Sequence, residues 1–111
     1  MTASPILTTS KHLLLVDDDR LVLSTLSVGL EQAGYQVGVA ESAEEAEAQL
    51  AGGLRPDLAV LDMRMPGRDG LFLAERLREL DHIPFMVLSA YSDSQMVAHA
   101  TRHGALGYAI K

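Results

Sequence analysis

The chemistry open to this chain is concentrated in carboxylates that follow apolar runs. Asp17, Asp18 and Asp19 come directly after Leu13-Leu14-Leu15-Val16, and Asp62 comes directly after Leu58-Ala59-Val60-Leu61, shortly before a Pro66-Gly67 turn. Ser89 closes Phe85-Met86-Val87-Leu88, and Lys111 closes Gly107-Tyr108-Ala109-Ile110. A single acid in such a place often does no more than tie down a turn or cap a helix, and Asp19 suits a cap on the first helix. Three consecutive acids are more than one cap needs. Oxygen donors without cysteine, and without histidines at ligand spacing, suit a hard divalent ion. Mg²⁺ is usually held by one or two carboxylates together with water and a phosphoryl oxygen. If these positions meet, they make phosphoryl-transfer equipment, with Asp62 as nucleophile, Lys111 as a cation against the transferring group and Ser89 as a hydroxyl donor to it. Of the histidines His12, His82, His99 and His103, only the last two share a helical spacing, and that pair reads as surface.

The elements that would bring them together follow from patterning. Residues 1–10 are polar and unpatterned and read as a flexible extension, with one domain over 11–111. Leu13 to Val16 is a continuous apolar strand of the kind found when helices cover both faces of a parallel sheet. From Arg20 to Ala33, Leu23, Leu26, Leu30 and Ala33 recur at helical intervals and Gly34 is a natural stop. Tyr35, Val37 and Val39 alternate as in a strand at a sheet edge. Ser42 and Glu45 form a capping box for a helix that runs to about Ala51 and stops at Gly52-Gly53. Leu58 to Asp62 is a strand, Gly70 to Leu80 a helix with Leu73, Leu77 and Leu80 on one face, and Phe85 to Leu88 a strand. Ser92 and Gln95 suggest another capping box, with a helix ending near Gly104, and Gly107 to Lys111 is a short last strand.

Five strands separated by four helices predict a doubly wound α/β sheet, all parallel and flavodoxin-like, in the order 2-1-3-4-5. That order makes strands 1 and 3 neighbours at the switch point, with their ends about 4.8 Å apart, so Asp18 and Asp62 can share one ion. A helix after the fifth strand is expected but does not occur before Lys111; without it one face of the sheet would be only partly covered, which points to a shortened chain, a further tail or a partner that fills the gap.

Composition narrows the class further. At 111 residues the chain can bury one core, and the lack of cysteine excludes disulfides and thiolate metal sites. No apolar run approaches the roughly 20 residues needed to span a bilayer, so a cytoplasmic location without membrane contact is expected. Fifteen acidic against nine basic residues give a net charge of -6, which disfavours direct binding to nucleic acid.

The motifs Leu15-Val16-Asp17-Asp18-Asp19, Leu61-Asp62 through Pro66-Gly67 to Gly70, Leu88-Ser89-Ala90 and Gly107-Tyr108-Ala109-Ile110-Lys111 resemble the receiver domain of bacterial two-component response regulators. The resemblance spans nearly everything from Lys11 to Lys111. It implies that Asp62 accepts a phosphoryl group from a phosphohistidine on a sensor histidine kinase or phosphotransfer protein. Asp18 and Asp62 would bind Mg²⁺ directly, with the main-chain carbonyl of Arg64, and Asp17 would act through water. Lys111 would contact the phosphoryl group, and Ser89 and Tyr108 would rearrange as a switch. The implied protein is no enzyme toward other substrates and catalyses only its own aspartyl phosphorylation and dephosphorylation. It would act through an output domain or partner protein beyond Lys111, and a homodimer is compatible with it. Arg64 and Tyr91 are expected to obstruct the hydrolytic water and lengthen the phosphoryl lifetime.

Other readings fit less well. A flavin or nucleotide protein of this fold needs a glycine- or hydroxyl-rich phosphate cradle after the first strand, where Asp17 to Asp19 repel phosphate. A haloacid-dehalogenase-like phosphohydrolase needs a second acid two residues after Asp62, where Arg64 stands. A phosphorylation-independent interaction module does not need Asp18, Asp62, Ser89 and Lys111 together.

Overall fold

The computed structural model describes residues 11–62, 70–80, 82–89, 102 and 104–110. Its elements are β1 (His12–Val16), α1 (Arg20–Gln32), β2 (Gln36–Ala40), α2 (Ala43–Ala51), β3 (Leu58–Asp62), α3 (Gly70–Glu79), β4 (Phe85–Ser89) and β5 (Tyr108–Ile110). The fold is α/β and flavodoxin-like. All pairings are parallel, β1 lies between β2 and β3, and β4 follows β3. The short β5 pairs with β4, completing the order β2-β1-β3-β4-β5. The helix expected behind Ser92 lies outside the described residues, apart from the helical Arg102.

Local chemistry sets the helix ends. Asp19, in extended geometry, caps α1 by accepting the Leu21 and Val22 N–H groups on its side chain. The Ser42 hydroxyl accepts from Glu45 N–H at 3.0 Å, and Glu44 and Glu45 place negative charge at the positive end of the α2 dipole. Gly34 and Gly53, with φ of +102° and +110°, turn the chain out of α1 and α2 in a region that penalises any Cβ.

The two faces of the sheet are covered unequally. On one, Leu14, Val16, Ala59, Leu61, Phe85 and Val87 pack against Ala43, Ala46 and Leu50 of α2 and Leu73, Ala74 and Leu77 of α3 in one buried cluster. On the other, Leu13 and Leu15 are buried, whereas Leu58, Val60 and Met86 are only half-buried. Helix α1 departs from its expected burial in the same sense. Leu23 is buried, Leu26 and Leu30 are half-buried, and Ala33 is an exposed cap. Strand β2 is at the edge, but Tyr35 lies outside it and both Tyr35 and Val39 are 40% exposed rather than inward. The alternation in β2 fits an edge strand with one face less deeply covered, which is where the sheet order places it.

Candidate functional site

Strand pairing brings the acids together. Val16 of β1 stands beside Leu61 of β3, so the next residues, Asp17 and Asp62, emerge side by side at the carboxyl edge. Carboxylate oxygens of Asp17, Asp18 and Asp62 all lie within 4.8 Å of one another. Asp17 is fully buried, Asp62 is 4% exposed and Asp18 is exposed.

Asp17 is fixed on two sides. Its N–H donates to the Ala40 carbonyl at 3.1 Å, and its Oδ1 accepts the Asp19 N–H at 2.9 Å. The side chain of Asp19 is turned away onto α1, where Oδ1 accepts Leu21 N–H at 2.9 Å and Val22 N–H at 3.3 Å. Adjacent acids therefore divide the labour, with Asp19 ending the backbone of a helix and Asp17 and Asp18 turned to the site.

Two unit charges 4 Å apart repel by about 4 kcal/mol at an effective dielectric of 20, so a buried pair with a third acid beside it calls for a cation. Hard oxygen donors fit Mg²⁺. Two oxygens on one Mg²⁺ are at most about 4.2 Å apart, somewhat less than the 4.8 Å within which the three donors lie. Donors gathered within that bound can converge on one ion, directly or through water.

Among the other expected site residues, Ser89 ends β4 one residue beyond Leu88, the register partner of Asp62. Ser89 itself pairs with Ile110, and Tyr108 with Val87, so the backbone of both reaches the same end of the sheet. Their side chains, and all of Arg64, Tyr91 and Lys111, lie outside the described residues.

One feature escaped the sequence reading. Arg20, the first residue of α1, donates from Nε to Glu41 Oε1 at 2.9 Å across the β1–α1 and β2–α2 junctions. The hydrogen bond, and then the charge, of Glu41 raise the already high pKa of the guanidinium. The signal was available in the strand order, since Glu41 follows Ala40, the register partner of Val16.

The response regulator receiver domain model matches residues 13–111. The transcriptional regulatory protein AfsQ1 of Streptomyces coelicolor is 36% identical over 99 residues, 89% of this chain and 44% of that protein. The transcriptional regulatory protein PrrA of Mycobacterium tuberculosis is 39% identical over 104 residues, 93% of this chain and 44% of that protein. The chain thus spans less than half the length of these relatives. Among solved structures, the chemotaxis protein CheY4 of Vibrio cholerae superposes with a TM-score of 0.84 at 26% identity, covering 93% of this chain and 88% of that one. A CheY-like receiver domain protein of Methanospirillum hungatei gives a TM-score of 0.83 at 28% identity, covering 93% and 82%.

Proposed function

The chain belongs to the response regulator receiver domain family, and from that premise we propose that it accepts a phosphoryl group on Asp62 from a phosphohistidine of a sensor histidine kinase or phosphotransfer protein. The observation that carries the reading is a nearly buried Asp62 whose carboxylate shares a 4.8 Å cluster with Asp17 and Asp18. A carboxylate oxygen of Asp62 forms the bond to phosphorus as the phosphorus–nitrogen bond breaks, and the freed imidazole takes up a proton.

Asp18 and Asp62, with the Arg64 main-chain carbonyl, would hold Mg²⁺ directly, and Asp17 would hold it through water. When bound, the ion neutralises charge on the transferring group. Burial keeps bulk water from the back of Asp62, while exposed Asp18 leaves the mouth open to a donor. Lys111 pairs with a phosphoryl oxygen and Ser89 donates its hydroxyl to another. The Ser89 and Tyr108 side chains then settle differently and bias the surface around β4 and β5, which partners read.

A protein that delivers a phosphoryl group to Asp62 must rest on the carboxyl edge of the sheet. Beside that edge the first turn of α1 presents Leu21, 74% exposed, and about two turns further along the helix Val28 is 54% exposed, two apolar side chains for a docking partner to cover. A net charge of -6 supports a protein rather than nucleic acid as the direct partner. Control of transcription, which the names of AfsQ1 and PrrA carry, would reach this protein through an output domain or partner protein, with or without a homodimer. We place this chemistry in the cytoplasm; no helix among the described residues is long and apolar enough to cross a membrane.

Incubation with acetyl phosphate and Mg²⁺ followed by intact mass measurement tests the proposal. One phosphoryl adduct is expected on the native chain and none on Asp62→Asn or after chelation. A native chain that stays unmodified would overturn the reading in favour of a phosphorylation-independent interaction module.

A further inference from the structure

Beside the carboxylate cluster stands a cation that the phosphoryl chemistry does not use. Arg20 follows the acidic loop directly, and at most about 7.6 Å separates its Cα from that of the exposed Asp18, a gap that an arginine stem covers. Three carboxylates gathered within 4.8 Å attract any nearby positive charge, and a guanidinium tethered to the same loop is a standing competitor for a metal ion. In the structure that guanidinium is held elsewhere. Pairing of β1 with β2 sets Val16 beside Ala40, and the Ala40 carbonyl takes the Asp17 N–H, so Glu41 begins the neighbouring loop on the side away from β3. Its Oε1 accepts Arg20 Nε–H at 2.9 Å, and Glu45, in the first turn of α2, adds attraction from the same direction.

We propose that Glu41 is a positioning residue for metal uptake, which holds Arg20 against the β2–α2 junction and so keeps its guanidinium off Asp18 and out of the cation site. The inference rests on the Mg²⁺ reading above and deepens it. The pair has no comparable weight in stability, because its side chains are 83% and 43% exposed and such pairs contribute little to folding. Variants at both positions are therefore expected to fold.

Titration calorimetry with Mg²⁺ alone, on the 111-residue chain and its Glu41→Gln, Arg20→Gln and doubly substituted forms, tests this. Glu41→Gln should weaken Mg²⁺ binding roughly three- to tenfold, and the same change should have almost no effect once Arg20 is glutamine. The cycle separates release of a tethered competitor from simple loss of a negative charge, which would weaken binding equally in both backgrounds. Equal weakening, or an unchanged affinity in Glu41→Gln, overturns the inference alone. A native chain that takes up no Mg²⁺ overturns the proposed function and this inference with it.

Discussion

Asp17, Asp18 and Asp19 are chemically identical and consecutive, yet they end in a buried, an exposed and a helix-capping setting, because the chain turns from strand to helix within three residues. Position along that turn, rather than residue type, decides what each carboxylate does. His82 shows the same dependence on backbone setting. It is exposed and has φ of 52°, in the left-handed region, just ahead of the buried Ile83. That conformation strains a residue with a Cβ by about 1–2 kcal/mol, and a β-branched one most. His82→Gly should raise the urea midpoint slightly, since relief of strain is partly offset by roughly 0.5–1 kcal/mol of unfolded-state freedom. His82→Val should lower the midpoint, and the two variants compared by the same melt check the assignment.

At the scale of elements, helix α1 joins the site to the core. Its N-terminus is fixed by Asp19, which satisfies the Leu21 and Val22 amides, and its burial depends mainly on Leu23. With so little apolar anchorage, the cap should matter. Asp19→Ala is expected to cost about 1 kcal/mol of stability in chemical denaturation. The same variant should leave Mg²⁺ affinity within about a factor of three, because this carboxylate is committed to the helix. Helices α2 and α3 are anchored differently, by Ala43, Ala46 and Leu50 and by Leu73, Ala74 and Leu77 on the fully covered face of the sheet.

For the whole molecule, parallel winding makes neighbours of acids 45 residues apart in the sequence, Asp17 and Asp62, and the fold bears their repulsion. Stability and ion binding are therefore linked. Without divalent ions Asp18→Asn should melt higher than the native chain, since one repelling charge is gone from an exposed position. Mg²⁺ at about 100 times its dissociation constant should stabilise the native chain by about 2.7 kcal/mol and Asp18→Asn by much less, measured by thermal melts with and without chelator.

By itself the sequence determined the elements and the stock of reactive groups. Apolar runs such as Leu13 to Val16 and Leu58 to Leu61, the caps at Asp19 and Ser42 and the stops at Gly34 and Gly52-Gly53 are short-range signals, written in residues that touch or nearly touch along the chain. Only the tertiary structure decided how deeply Asp17 and Asp62 are buried, that Arg20 is tied to Glu41, and that Leu26, Leu30, Tyr35 and Val39 are left partly or largely open. Burial and charge pairing depend on what arrives from remote parts of the chain, and a periodic pattern names the face a helix or strand offers without saying how much of it will be met.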